Sequence, residues 1–148
     1  MCQKMAFVNS GLFRTHYHTS QGEETTYCFT FAGQLLSAYS SFISGEPTKE
    51  NIEALQPTEL WVLPKAALDQ MSETDSRWTI LGKWIAEQNY IELERRVFML
   101  QKEKAEERYA DLLRSHPEFV QDIPLQYLAS YLGISPRHLS RIRAEVRF

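Results

Sequence analysis

Apolar residues along the chain follow two rhythms, and the change falls near residue 70. Before it they cluster in short runs, KMAFVNSG, LFRTHYH, TTYCFTF and ELWVL, rich in aromatic and β-branched residues and punctuated by Gly, Asn and Pro. Runs of this length and composition predict strands. In the third run Tyr27, Phe29 and Phe31 fall on one face and Thr26, Cys28 and Thr30 on the other, which is the period of a half-buried antiparallel strand. TSQGEE, between the second and third runs, reads as a hairpin turn.

After residue 70 glycine and proline thin out, and Ala, Leu, Glu, Lys and Arg dominate. The spacing predicts one long helix over about Asp75–Gln101. At roughly 100° per residue, Trp84, Ile91 and Phe98 form one apolar stripe, while Tyr90, Leu93, Val97 and Leu100 form a second, with Glu87 and Glu94 between them. A surface helix needs one apolar stripe. Two stripes predict a helix with two partners: the β layer on one side and a second subunit on the other. The competing arrangement is a helix buried centrally in a monomer.

A short amphipathic helix follows, carrying Ala105, Tyr109, Leu112 and Leu113 and stopped before Pro117, because a residue preceding proline is pushed out of helical geometry. Pro124 opens the next helix, in which Leu125, Leu128, Ala129 and Leu132 share a face. Gly133 stands where a left-handed C-cap favours glycine. Ser135 then suits an N-cap, and Pro136 suits a first turn that needs no N–H partner. In the last helix Leu139, Ile142 and Val146 form the buried stripe, and Arg137, Arg141 and Ala144 face away from it. His138 and Ser140 flank the exposed face, while Arg143 and Arg147 lie nearer the core edge.

Charge sharpens this picture. The whole chain carries −3, which argues against a generic binder of nucleic acid. Residues 137–148, however, hold four arginines and one acid, a local +3 that leaves −6 for the remainder. A basic tip on an acidic body is a footprint aimed at something anionic. Helix, short turn at Gly133 and helix with an arginine-bearing outer face is the arrangement of a helix-turn-helix whose second helix enters the major groove. Arg137 and Arg141 are then placed for base edges, since a guanidinium fork matches the two acceptors of guanine. Arg143, Arg147 and the backbone at Ser135 are placed for phosphates. An ordinary helical hairpin with a solvated charged face fits the same pattern.

Nearly the whole chain resembles the Crp/Fnr family of bacterial transcription regulators, particularly its shorter members. MAFVNSGLFRTHYHTSQGEETTYCFTFAGQLLSAYSSFISGEPTKENIEALQPTELWVL is similar to the later strands of that family's effector-binding β-roll. AEERYADLLRSHPEFVQDIPLQYLASYLGISPRHLSRIR is similar to its DNA-binding end, and YLASYLGIS followed by LSRIR is the specific part. The resemblance implies an α+β protein: a partial, jelly-roll-like antiparallel β-roll over 1–70, a long dimerisation helix over 71–102, and a helix-turn-helix domain over 103–148. It implies a homodimer on double-stranded DNA that controls transcription without catalysis, with RNA polymerase as a further partner. Ser135, Arg137, His138, Ser140, Arg141 and Arg143 become the DNA-contacting set. Pro136 stands where the family's cyclic-AMP activator has a further arginine, so the target site should differ. Family members carry more strands before the point matching Met1, and many continue into a β-hairpin wing beyond the point matching Phe148. The roll is therefore expected to be N-terminally short and open at one edge.

Members that bind cyclic nucleotides carry a Gly-Glu pair and a later arginine that clamps the phosphate. Here the matching stretch begins Gly33-Gln34, and no arginine lies between Arg14 and Arg77. Gly33, Gln34 and Lys49 are the candidate effector contacts, but a lysine supplies a point charge where a cyclic phosphate needs a fork. The effector is thus expected to be something other than a cyclic nucleotide, and no cofactor is implied. A second reading is a cupin-like metal-binding protein or enzyme using His16, His18 and Glu23, although the two remaining histidines, His116 and His138, lie in the helical half. Cys2 and Cys28 are too few for a four-thiolate cluster, and neither has an assignable base. Reduced thiols, no apolar run of roughly 18 residues and no leader-like N-terminus fit a cytoplasmic protein without a membrane span.

Overall fold

The computed structural model describes residues 1–145, the side chains of residues 118 and 119 excepted. Val146 and Arg147, expected in the buried stripe and at the core edge of the last helix, lie outside them. Among the described residues six strands and seven helices follow one another as β1 (Lys4–Ser10), β2 (Leu12–His18), β3 (Glu24–Phe31), β4 (Leu35–Leu36), α1 (Tyr39–Ser44), β5 (Asn51–Ala54), β6 (Glu59–Pro64), α2 (Lys65–Thr74), α3 (Ser76–Lys102), α4 (Ala105–Ser115), α5 (Pro117–Val120), α6 (Leu125–Leu132) and α7 (Pro136–Glu145). This is the expected α+β arrangement of strands, long helix and terminal helical hairpin. Among the described residues no helix is long and apolar enough to cross a membrane.

The strands form two three-stranded sheets, ordered β4-β1-β6 and β3-β2-β5. In the first, β1 pairs antiparallel with both neighbours: Ala6 lies opposite Leu36 and Val62, and Phe7 opposite Leu35 and Trp61. The alternation of β1 gives each face a separate core. Ala6 and Val8 pack with Leu36, Phe13 of β2 and Leu60. Met5, on the other face, packs with Phe42 of α1 and Ile85 of α3, beside Cys2, Tyr39 and Leu68. Gly11 makes the β1–β2 turn at φ +110°, where a Cβ would stand 2.4 Å from the Thr58 methyl and 3.0 Å from the Thr58 backbone. Backbone sign and space both demand glycine there.

The chain separates into two compact units: Met1–Thr15 with Phe29–Glu94, and His16–Cys28 with the chain from Arg95 onward. The division cuts β2, β3 and α3, so the end of the β2–β3 hairpin belongs with the terminal helices. There the buried Thr26 donates its backbone N–H to Ser130 Oγ of α6 at 2.9 Å. Leu128, Ala129, Leu132, Leu139 and Ile142 are fully buried in this second unit, so these residues of the predicted inner faces of α6 and α7 lie in its core, while Leu125 is only partly buried.

The long helix departs from expectation on its outer faces. Asp75 is extended and caps it by accepting the Arg77 N–H at 2.9 Å, which also breaks it from α2, a helix the spacing does not predict. Ile85 is its one buried residue, and Ile85 belongs to neither predicted stripe. Trp84, Ile91 and Phe98 are all about half exposed, as are Leu93, Val97 and Leu100, and Tyr90 is more exposed still. Both predicted stripes thus leave about half of their apolar surface exposed.

Candidate nucleic-acid interface

Two local motifs set the geometry of the α6–α7 hairpin. Gly133 ends α6 at φ +69°; its N–H reaches Ser130 O at 3.1 Å, and the Ile134 N–H reaches Ala129 O at 3.0 Å. This pair of bonds satisfies carbonyls that a helix end leaves free, and it needs a left-handed residue between them. Two residues later Ser135 Oγ accepts the His138 N–H at 3.2 Å, the expected N-cap, with Pro136 as the first residue of α7. The chain thus turns within three residues and presents the start of α7 outward.

Three arginines hold the hairpin from inside. Arg96 stacks on the Tyr131 ring with 3.9 Å to its centroid and donates to Tyr131 O. Burial pulls the Arg96 guanidinium below its ordinary pKa, with the neighbouring Tyr131 opposing that shift. Arg108, buried, donates to Leu132 O at 2.8 Å and to Glu103 O at 2.7 Å. Two C-terminal carbonyls of α6 are therefore satisfied by charge-assisted bonds. Arg143 donates to Val120 O at 3.2 Å and lies over the Tyr109 ring. Its guanidinium is engaged internally, not directed outward as expected for a phosphate contact.

Ser135, Arg137, His138 and Arg141 line an open cleft of about 300 Å³ at the outer side of α7. Arg137, Ser140 and Arg141 are exposed, and His138 is partly covered. Ser140 turns its hydroxyl back to Pro136 O at 3.0 Å. Two carboxylates border the cleft. Glu145 lies 4.0 Å from Arg141 Nε, and Glu106, from the first turn of α4, lies 3.6 Å from His138 Nε2. The Glu106 backbone N–H first, then His138 and the Arg141 charge, hold the Glu106 carboxyl below the usual range. An outward fork at Arg141 beside a capped helix start can address base edges and phosphates together.

The cyclic nucleotide-binding domain is matched over residues 1–75. The chain belongs to the cyclic nucleotide-binding domain family. A comparison with curated proteins yields no match. Solved structures resemble it over 97% of its length: FixK2 from Bradyrhizobium japonicum (TM-score 0.82, 16% identity, 74% of that chain), the c-di-GMP-responsive global regulator CLP of Xanthomonas campestris (0.69, 15%, 77%) and a Crp/Fnr-family transcriptional regulator from Thermus thermophilus (0.67, 18%, 74%). At these identities the likeness establishes the fold, which is that of Crp/Fnr regulators.

Within the cyclic nucleotide-binding domain, Gly33 and Gln34 make local contacts. Gly33, at φ +85°, donates to Val8 O at 2.8 Å, and Gln34 Oε1 accepts the Phe31 N–H at 2.9 Å. Both serve the β3–β4 turn. Lys49 is exposed on the segment before β5, and no polar contact among the described residues joins it to either. A group that sequence reasoning passed over is Arg14, 1% exposed, with Nη1 3.3 Å from Glu53 Oε2. Its signal was available: a charge on the face of β2 that alternation also assigns to the fully buried Leu12.

The second reading changes too. Glu24, not Glu23, faces the histidines, at 3.7 Å from His16 Nδ1 and 3.8 Å from His18 Nε2. Among the described residues no group of three or more His, Cys, Asp or Glu side chains is placed to hold a metal ion.

Proposed function

We propose that the protein is a dimeric, sequence-specific DNA-binding regulator of transcription, reading DNA with α7 and pairing through α3. The observation that carries this reading is the cleft lined by Ser135, Arg137, His138 and Arg141 on the outer side of a capped second helix. Arg137 and Arg141 read bases, Ser135 and the N-terminal amides of α7 meet phosphate, and His138 and Ser140 border the contact. Arg143 supports the hairpin instead of touching DNA. Pairing is supported by the two half-exposed apolar stripes of α3, which offer apolar surface to a second copy. Two-fold pairing supplies the two half-sites, about one helical turn apart, that a helix-turn-helix protein uses.

The effector is proposed to lie outside the cyclic nucleotides. No arginine occurs between Arg14 and Arg77, and the buried Arg14 is already drawn to Glu53.

The experiment is to select a preferred site from random DNA and measure Arg137→Ala and Arg141→Ala on that site and on scrambled duplex. Each should cost about 1–3 kcal/mol on the selected site and relax preference at one base pair of each half-site. An unchanged ratio of specific to scrambled binding in both variants would remove α7 as the reading helix.

A further inference from the structure

Glu106 stands out on the face just described. It is an acid brought from another helix against the basic outer face of α7, 3.6 Å from His138 Nε2. His138 Nε2 is shielded from solvent and has no hydrogen-bond partner, so the carboxylate is the nearest compensation that nitrogen has. The neighbouring Glu107 closes the start of α4 by accepting the Lys104 N–H at 2.9 Å. Two carboxylates therefore cover a helix N-terminus that would otherwise attract phosphate.

Non-specific affinity for DNA comes almost entirely from phosphate contacts. A fixed negative charge beside the reading helix opposes those contacts on every sequence, whereas base-edge hydrogen bonds reach past it. Specificity is a difference between affinities, and a repulsive element widens that difference when it weakens the wrong complexes more.

We propose that Glu106 is a specificity-determining residue of the DNA interface: placed against His138 and beside Arg141, its carboxylate disfavours phosphate-only binding, so that tight binding requires base contacts. The inference rests on the DNA-binding reading of α7. It assigns a role to a residue outside the helix-turn-helix itself.

The test compares wild type with Glu106→Gln, Glu106→Asp and Glu73→Gln on a selected site and a scrambled duplex, from about 50 to about 200 mM salt. Glu73 is exposed on α2 and removes the same charge elsewhere. Glu106→Gln should bind scrambled DNA about 3–10-fold tighter at the low-salt end, where exposed charges are least screened. It should gain less on the selected site, so the specificity ratio falls at least about threefold. Glu106→Asp should keep the ratio near wild type, and Glu73→Gln should not lower it. A Glu106→Gln ratio equal to wild type, or an equal fall with Glu73→Gln, would overturn the inference while leaving DNA binding intact. Wild type that binds neither duplex would overturn the DNA-binding reading and this inference together.

Discussion

Arg141 and Arg143 stand two positions apart on α7 and meet different surroundings. Arg141 projects from the cleft with its side chain about two-thirds exposed, whereas Arg143 donates to Val120 O and lies over Tyr109. Arg143→Ala should therefore act on the fold: about 1–2 kcal/mol less stability, read as a lower melting temperature, with the salt slope of DNA binding unchanged. A slope smaller by about one unit would instead mark Arg143 as a phosphate contact. The roles of Gly133 and Ser135 were legible in the sequence because their partners lie within five residues. The partners of Arg143 and Arg14 were not, since they stand 23 and 39 positions away and no periodicity connects them. Glu106 escaped notice for the same reason: its residue type says solvated acid, and only the packing of α4 beside α7 brings it to the cleft.

Turns and helices that carry their own signal were read correctly, and those that borrow it from neighbours were not. β1, β2 and β3 alternate or cluster strongly enough to be seen, but β5 is four exposed residues, NIEA, and α1 is six, YSSFIS, too short for a period to register. The two glycine turns differ in what they forbid. Gly133→Ala places a side chain at φ +69° with its Cβ 3.5 Å from Leu100 Cδ2, an ordinary contact, so the cost is the left-handed backbone alone, about 1–2 kcal/mol. Gly11→Ala adds a collision with Thr58 to the backbone strain of φ +110°, and should lose more. Thermal unfolding of both variants checks the order; equal losses would mean that the β1–β2 turn relaxes freely.

For the molecule as a whole, the proposed pairing through α3 makes stability and the proposed DNA binding depend on concentration. Replacing Ile91 and Phe98 together with glutamate should give monomers by light scattering and abolish high-affinity binding to a two-half-site duplex. Wild type that stays monomeric at tens of micromolar, about the upper end of useful dimer affinities, would contradict pairing through α3. Calorimetry with cyclic AMP and cyclic GMP should give no saturable heat at roughly micromolar affinity, and binding there would mean that groups other than an arginine fork suffice. The long helix was legible as two stripes, yet their exposure was not, because burial depends on what else the fold supplies. A last consequence concerns modularity. Residues 16–28 group with the terminal helices, and Thr26 is bonded to Ser130 across 104 positions, so the two compact units are interleaved in sequence and not strung end to end. A chimera joined within α3, keeping these terminal helices and replacing everything before them, would carry a foreign hairpin against α6. A working exchange of halves has to transplant the hairpin end along with α4–α7.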